Sequence, residues 1–140
     1  RPSQPARPRR LFASNHGDRR FGHMSIVEAE RHAAGGPTWA YRLTYQSPFI
    51  GARLGAPHNL DLPLLFCPDD APGIFGAGTD HHALAAFMQT AWAQFARTGD
   101  PGWKRFDTTT RATMMLDREC RVANDPGRAG RLAQGGLPSP

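Results

Sequence analysis

The side chains through which this chain could do acid–base or nucleophilic chemistry are six histidines, two cysteines and five serines. His16, His23 and His32 are scattered, and His81-His82 follows Asp80. Adjacent histidines diverge on a helix and chelate poorly together, and no H-E-x-x-H or paired-cysteine spacing is present, so no metal site is expected. Asp80-His81-His82 reads instead as a polar helix start. Cys67 and Cys120 do not form a C-x-x-C motif; they are two separate thiols or one disulfide. Ser3, Ser14, Ser25, Ser47 and Ser139 all lack the G-x-S-x-G turn that a nucleophilic serine of an α/β-hydrolase needs. Gly76 to Thr79 is too short a glycine loop to cradle phosphate.

His58 is the exception. In GAPHNLDLPLLF it follows Gly55-Ala56-Pro57, a turn that lifts a side chain off the main-chain path. The apolar run Leu62 to Phe66 can anchor the turn from behind. Two readings are open: a positioned general base, or a loop histidine with a structural hydrogen bond. Asp61, three residues on, could hold the imidazole tautomer or cap the local turn. Neither reading supplies a nucleophile.

The elements that must position His58 are legible around it. Ser25-Ile26-Val27-Glu28 has capping-box spacing and predicts a helix over Ile26 to Ala34, stopped by Gly35-Gly36-Pro37. TWAYRLTY, Thr38 to Tyr45, alternates with period two and predicts a strand. Leu84, Phe87, Met88, Ala91, Trp92 and Phe95 form one apolar stripe on a helix from Asp80 to Arg97, capped by Thr79 or Asp80 and ended by Gly99 and Pro101. That stripe reads as core packing. Ala112 to Leu116 and Cys120 to Ala123 predict short edge strands, Asn124-Asp125-Pro126-Gly127 a turn, and Arg128 to Gln134 a last helical turn or two.

Composition limits the classes. Hydrophobic residues make up 39% of the 140, enough for a core. The net charge of +5 is concentrated in RPSQPARPRR, residues 1–10, which carries four arginines and no acid. The remainder is near balance, with 13 basic and 12 acidic residues, which argues against a nucleic-acid partner. No apolar run approaches the ~18 residues of a membrane span, so no membrane partner is expected. The sequence assigns neither compartment nor oligomeric state. One good strand cannot make a sheet alone, so the chain is either an unusual small α+β domain or one from which most of the sheet is absent.

Five stretches, taken in order, resemble the C-terminal part of the type-B carboxylesterases, the α/β-hydrolase family that includes the cholinesterases and para-nitrobenzyl esterases. They are Asp18-Arg19-Arg20-Phe21, TWAYRLTYQSP, GARLGAPHNLDLPLLF, LAAFMQTAWAQFARTGDPGW and RATMML, spread over residues 18–131. The sequence departs from the family at Lys104, where proline commonly follows the tryptophan, at Leu132, and throughout residues 1–17. The resemblance implies an α/β fold: a late sheet strand, a catalytic-histidine loop, a long amphipathic helix and short terminal edge strands. It divides the chain into a Pro/Arg-rich leader (1–17), the hydrolase portion (18–134) and a loose tail (135–140). The family's catalytic histidine falls on His58, and Asp61 matches the supporting acidic position after it rather than the triad acid. The triad order, Ser, then Asp or Glu, then His, puts the other two members upstream. The implied activity is hydrolysis of a small carboxylic ester with no cofactor, by a parent protein of which this chain alone is inactive. The alternatives are a catalytically silent cholinesterase-like adhesion domain, marked by Gly or Ala at the upstream elbow, and an arginine-rich nucleic-acid binder.

Overall fold

The computed structural model describes residues 22–48, 55–66, 72–75 and 80–134. Helix α1 spans His23–Ala33, beginning three residues earlier than the capping-box spacing predicts. Its N-cap position is Gly22, and no side chain caps it, so Ser25 lies inside the first turn. At its other end the N–H groups of Gly35 and Gly36 both donate to His32 O, at 3.0 and 2.9 Å, closing the helix where the glycines predicted.

Strand β1 is Ala40–Leu43, shorter than the alternation suggested. Strand β2, Ala112–Leu116, pairs with it in parallel, Ala40 opposite Thr113 and Leu43 opposite Leu116. Strand β3, Arg121–Asn124, returns antiparallel on the other side of β2. The order β1-β2-β3 makes β2 the central strand, not the edge strand expected from its length. The reason is in its composition: ATMML does not alternate, and Ala112, Thr113, Met114 and Leu116 are all buried, as a strand covered on both faces requires.

A parallel pair needs a crossover, and helices supply it. These are α2 (Asp61–Phe66), α3 (Pro72–Phe75) and the long α4 (Asp80–Thr98). Leu84, Met88 and Ala91 of the predicted stripe are buried, while Phe95 at its end is 48% exposed. The α4 helix ends at Gly99, whose φ of 74° fits glycine and whose N–H donates to Phe95 O at 2.7 Å. Tyr45, Leu64, Phe75, Leu84, Met88 and Leu116 form the fully buried centre, each contributing roughly 1.5–3 kcal/mol of hydrophobic burial. Gln89 Nε2 ties α2 to α4 through Leu65 O at 3.1 Å and Leu64 O at 3.4 Å. Helix α5, Arg128–Gln134, follows a turn at Asp125 (φ 45°), whose carboxylate accepts both Nε and Nη2 of Arg131. Among the described residues, no helix is long and apolar enough to cross a membrane.

Candidate active-site segment

His58 is exposed at the start of the turn that leads into α2. The local backbone explains the bend. Gly55 and Asn59 both have φ of 66°, and asparagine is among the few residues that tolerate that region. Leu60 N–H donates to Pro57 O at 3.2 Å, and Leu62 N–H to Asn59 O at 3.2 Å, so the turn passes directly into helix. Leu60 and Leu64 are buried and anchor the segment from behind, but the Leu62 to Phe66 run does so only through Leu64, since Leu62 and Phe66 at its ends are 49% and 76% exposed.

The segment is also tied to the chain that leaves β1. Ser47 N–H donates to Gly55 O at 3.0 Å, three residues before His58. The Ser47 hydroxyl, fully buried, donates to Ile74 O at 2.5 Å and so couples the same point to α3. On the other side of His58, Tyr41 of β1 donates its hydroxyl to Asp61 Oδ2 at 3.2 Å. The structure thus gives Asp61 a partner that spacing did not foresee. The Tyr41 ring sits edge-on to Trp92 of α4, with centroids 4.9 Å apart. Partial burial, together with the Asp61 carboxylate, raises the phenol pKa above its ordinary value and keeps the hydroxyl a donor.

A second polar cluster fixes the far end of β1. Thr44 N–H and Tyr45 N–H converge on Leu116 O at 2.8 and 3.1 Å, and the Thr44 hydroxyl donates to Asp117 Oδ2 at 2.9 Å. Tyr45 donates to Asp80 Oδ1 at 3.2 Å, while Arg118 Nε and Nη2 each lie 2.6 Å from Asp80 Oδ2. The Arg118 guanidinium also stacks 5.1 Å from the Tyr45 ring centre. Burial pushes the Asp80 carboxyl up, but the Arg118 and Tyr45 hydrogen bonds outweigh it and hold the pKa below its usual range.

The remaining candidates take other roles. His81 is buried, not part of a polar helix start: it stacks on Phe75 at 4.3 Å and 13°, and the His82 ring also stacks with it at 4.3 Å and 29°. Among the described residues, no three His, Cys, Asp or Glu side chains gather as metal ligands. Cys120 is a free thiol 3.4 Å from Asp117 O. Cys67 and Gly76 to Thr79 lie outside the described residues. Sequence reading missed Tyr41 and Ser47 as neighbours of the His58 segment. Tyr41 carries only a strand-periodicity signal, and Ser47 has no sequence mark beyond lacking a nucleophile's turn.

No family model matches the chain. The para-nitrobenzyl esterase of Bacillus subtilis is 32% identical over 111 residues, covering 74% of this chain and 22% of that protein. The phenmedipham hydrolase of Pseudarthrobacter oxydans is 29% identical over 138 residues, 90% of this chain and 28% of its own length. Among solved structures, a Geobacillus stearothermophilus carboxylesterase superposes with a TM-score of 0.78 at 26% identity, over 94% of this chain and 29% of that one. The three-stranded unit is therefore a portion of an α/β-hydrolase esterase fold. The chain spans about a quarter of the length of the relatives it matches. It belongs to the type-B carboxylesterase family.

Proposed function

We propose that residues 18–134 are the C-terminal portion of a serine carboxylesterase domain, flanked by a leader (1–17) and a tail (135–140), and that His58 is its general base and acid. The observation that carries this reading is the His58 turn: an exposed imidazole on a backbone pinned at Gly55 before it and at Leu60 behind it. It stands in a chain similar to a para-nitrobenzyl esterase and a phenmedipham hydrolase. In the complete enzyme a serine outside residues 1–140 attacks the ester carbonyl, and an imidazole nitrogen of His58 takes its proton. The imidazolium returns that proton to the departing alcohol. A water molecule then repeats the cycle on the acyl-enzyme and frees the acid. Asp61 supports the His58 turn, while the triad acid and the oxyanion-hole donors also lie outside this chain. The substrate class is small carboxylic esters.

Two assays test this. Residues 1–140 alone should not turn over a short-chain nitrophenyl ester, because no serine of the chain has an elbow. Turnover by the isolated chain that disappears in His58→Ala would defeat the claim that the nucleophile lies elsewhere. In the full-length protein, His58→Ala should abolish hydrolysis; retained activity would remove His58 from the mechanism.

A further inference from the structure

We infer that Tyr41 is a positioning residue for the His58 turn, acting through Asp61; this deepens the reading of His58 as general base and rests on it. The turn is held from both sides by the chain of β1 and its continuation. Before His58 the tie is the main-chain bond from Ser47 N–H to Gly55 O, at 3.0 Å. After it the tie is the Tyr41 hydroxyl on Asp61 Oδ2, at 3.2 Å. Gly55 at the first tie and Asn59 between the ties both have positive φ, and they turn the chain so that His58 lies in a bend rather than along a regular element.

Tyr41 is suited to set the height of that bend. Its main chain is fixed in the sheet, opposite Met114 of β2. Its ring is braced against Trp92 of α4. Its hydroxyl reaches the first residue of α2, three positions past His58. A strand held in the sheet therefore reaches the segment carrying the base through one side-chain hydrogen bond. The residue is 43% exposed, so its ring contributes less to the core than its neighbours do. Removing the hydroxyl alone should disturb placement of His58 far more than it disturbs folding. Small displacements of a catalytic group cost rate steeply, up to about a hundredfold per ångström.

The test uses the full-length protein. Tyr41→Phe should lower kcat for a nitrophenyl ester about tenfold, with KM changed less than about twofold, and should shift the acidic limb of the kcat/KM profile. Asp61→Ala should reproduce this, the double variant should be no worse than either single one, and Asp61→Asn, which keeps an acceptor oxygen, should restore most of the rate. Additive losses, or an unchanged pH profile in Tyr41→Phe, would overturn the positioning role. His58→Gln separates the two readings. If it abolishes activity while Tyr41→Phe leaves kcat intact, only the positioning role fails; if it leaves activity intact, the general-base reading fails. A readout that needs no turnover is the His58 ring resonance in histidine-labelled protein, assigned by its loss in His58→Gln. It should move or broaden in Tyr41→Phe, and an unmoved resonance would overturn the inference even in a catalytically silent protein.

Discussion

Arg111 closes on Glu30 with two nitrogens on one oxygen: Nε at 2.8 Å and Nη2 at 2.7 Å from Oε1. The pair joins the residue before β2 to α1, and both side chains are partly shielded from water. Glu30→Gln or Arg111→Met should each cost about 0.5–1 kcal/mol, a partly exposed pair being screened by solvent. The expected readout is a fall in melting temperature of about 2–4 °C, with the double variant no less stable than the singles.

Leu116 is fully buried at the end of the central strand and its carbonyl accepts from Thr44 and Tyr45. Leu116→Ala should destabilise by about 2–5 kcal/mol, the range for a cavity that cannot collapse. Val122 in β3, which is 39% exposed, is the control: Val122→Ala should cost well under half of that. Denaturant unfolding of the two variants side by side checks the contrast.

Gly99 holds φ at 74° where α4 ends. Gly99→Ala should lower stability by about 1 kcal/mol through backbone strain alone, since a Cβ there meets no neighbour within 4 Å. A larger loss in thermal unfolding would show that the turn, and not only its dihedral, matters.

The lowered carboxylates of Asp80, Asp107 and Asp125 set the acid limit of the fold. The Arg131 hydrogen bonds lower the Asp125 pKa, with burial opposing, and Asp80 is lowered as described above. A carboxylate whose folded pKa lies below its unfolded value adds stability above the unfolded pKa, about 3.9. That stability is lost as pH falls through the lowered folded value. Unfolding midpoints should therefore drop below about pH 4, and Asp125→Asn should flatten that limb. Tyr41 works in the opposite sense: its raised pKa contributes stability below about pH 10 that disappears as the phenol ionises.

His58→Ala in the full-length protein should reduce kcat/KM on the order of 10⁴-fold or more. The imidazole is exposed, so the melting temperature should barely move. Parallel kinetics and thermal unfolding on one preparation give both answers.

Local pattern gave up the helices most readily. The Leu84–Met88–Ala91 stripe, the stop at Gly99 and the closing helix at Arg128 all depend on neighbours a few residues away, and they stand where spacing put them. The start of α1 did not, because a capping box competes with whatever precedes it, and here the helix runs on through Ser25 to His23. The strand face of TWAYRLTY also misled: Tyr41 and Tyr45 share a parity, yet one is 43% exposed and the other fully buried. Burial beyond the ends of so short a strand follows packing rather than pleat. β2 read as an edge strand because no local signal announces a partner some seventy residues earlier. For the site, the turn around His58 was visible in Gly55-Ala56-Pro57. The Tyr41–Asp61 bond was not, since hydrogen bonds across twenty residues leave no periodicity.

The sheet register carries a consequence for synthesis. The β2–β3 hairpin is joined by a short loop and can close as soon as it is made. β1 must instead wait for β2, and residues such as Thr44 and Asp117, bonded at the end of that ladder, are 73 positions apart. At ribosomal rates of about 5–20 residues per second, β1 goes without its β2 partner for roughly 4–15 s. During that interval β1 lacks the pairing that will later cover it, and it is then that a newly made chain would most depend on chaperones.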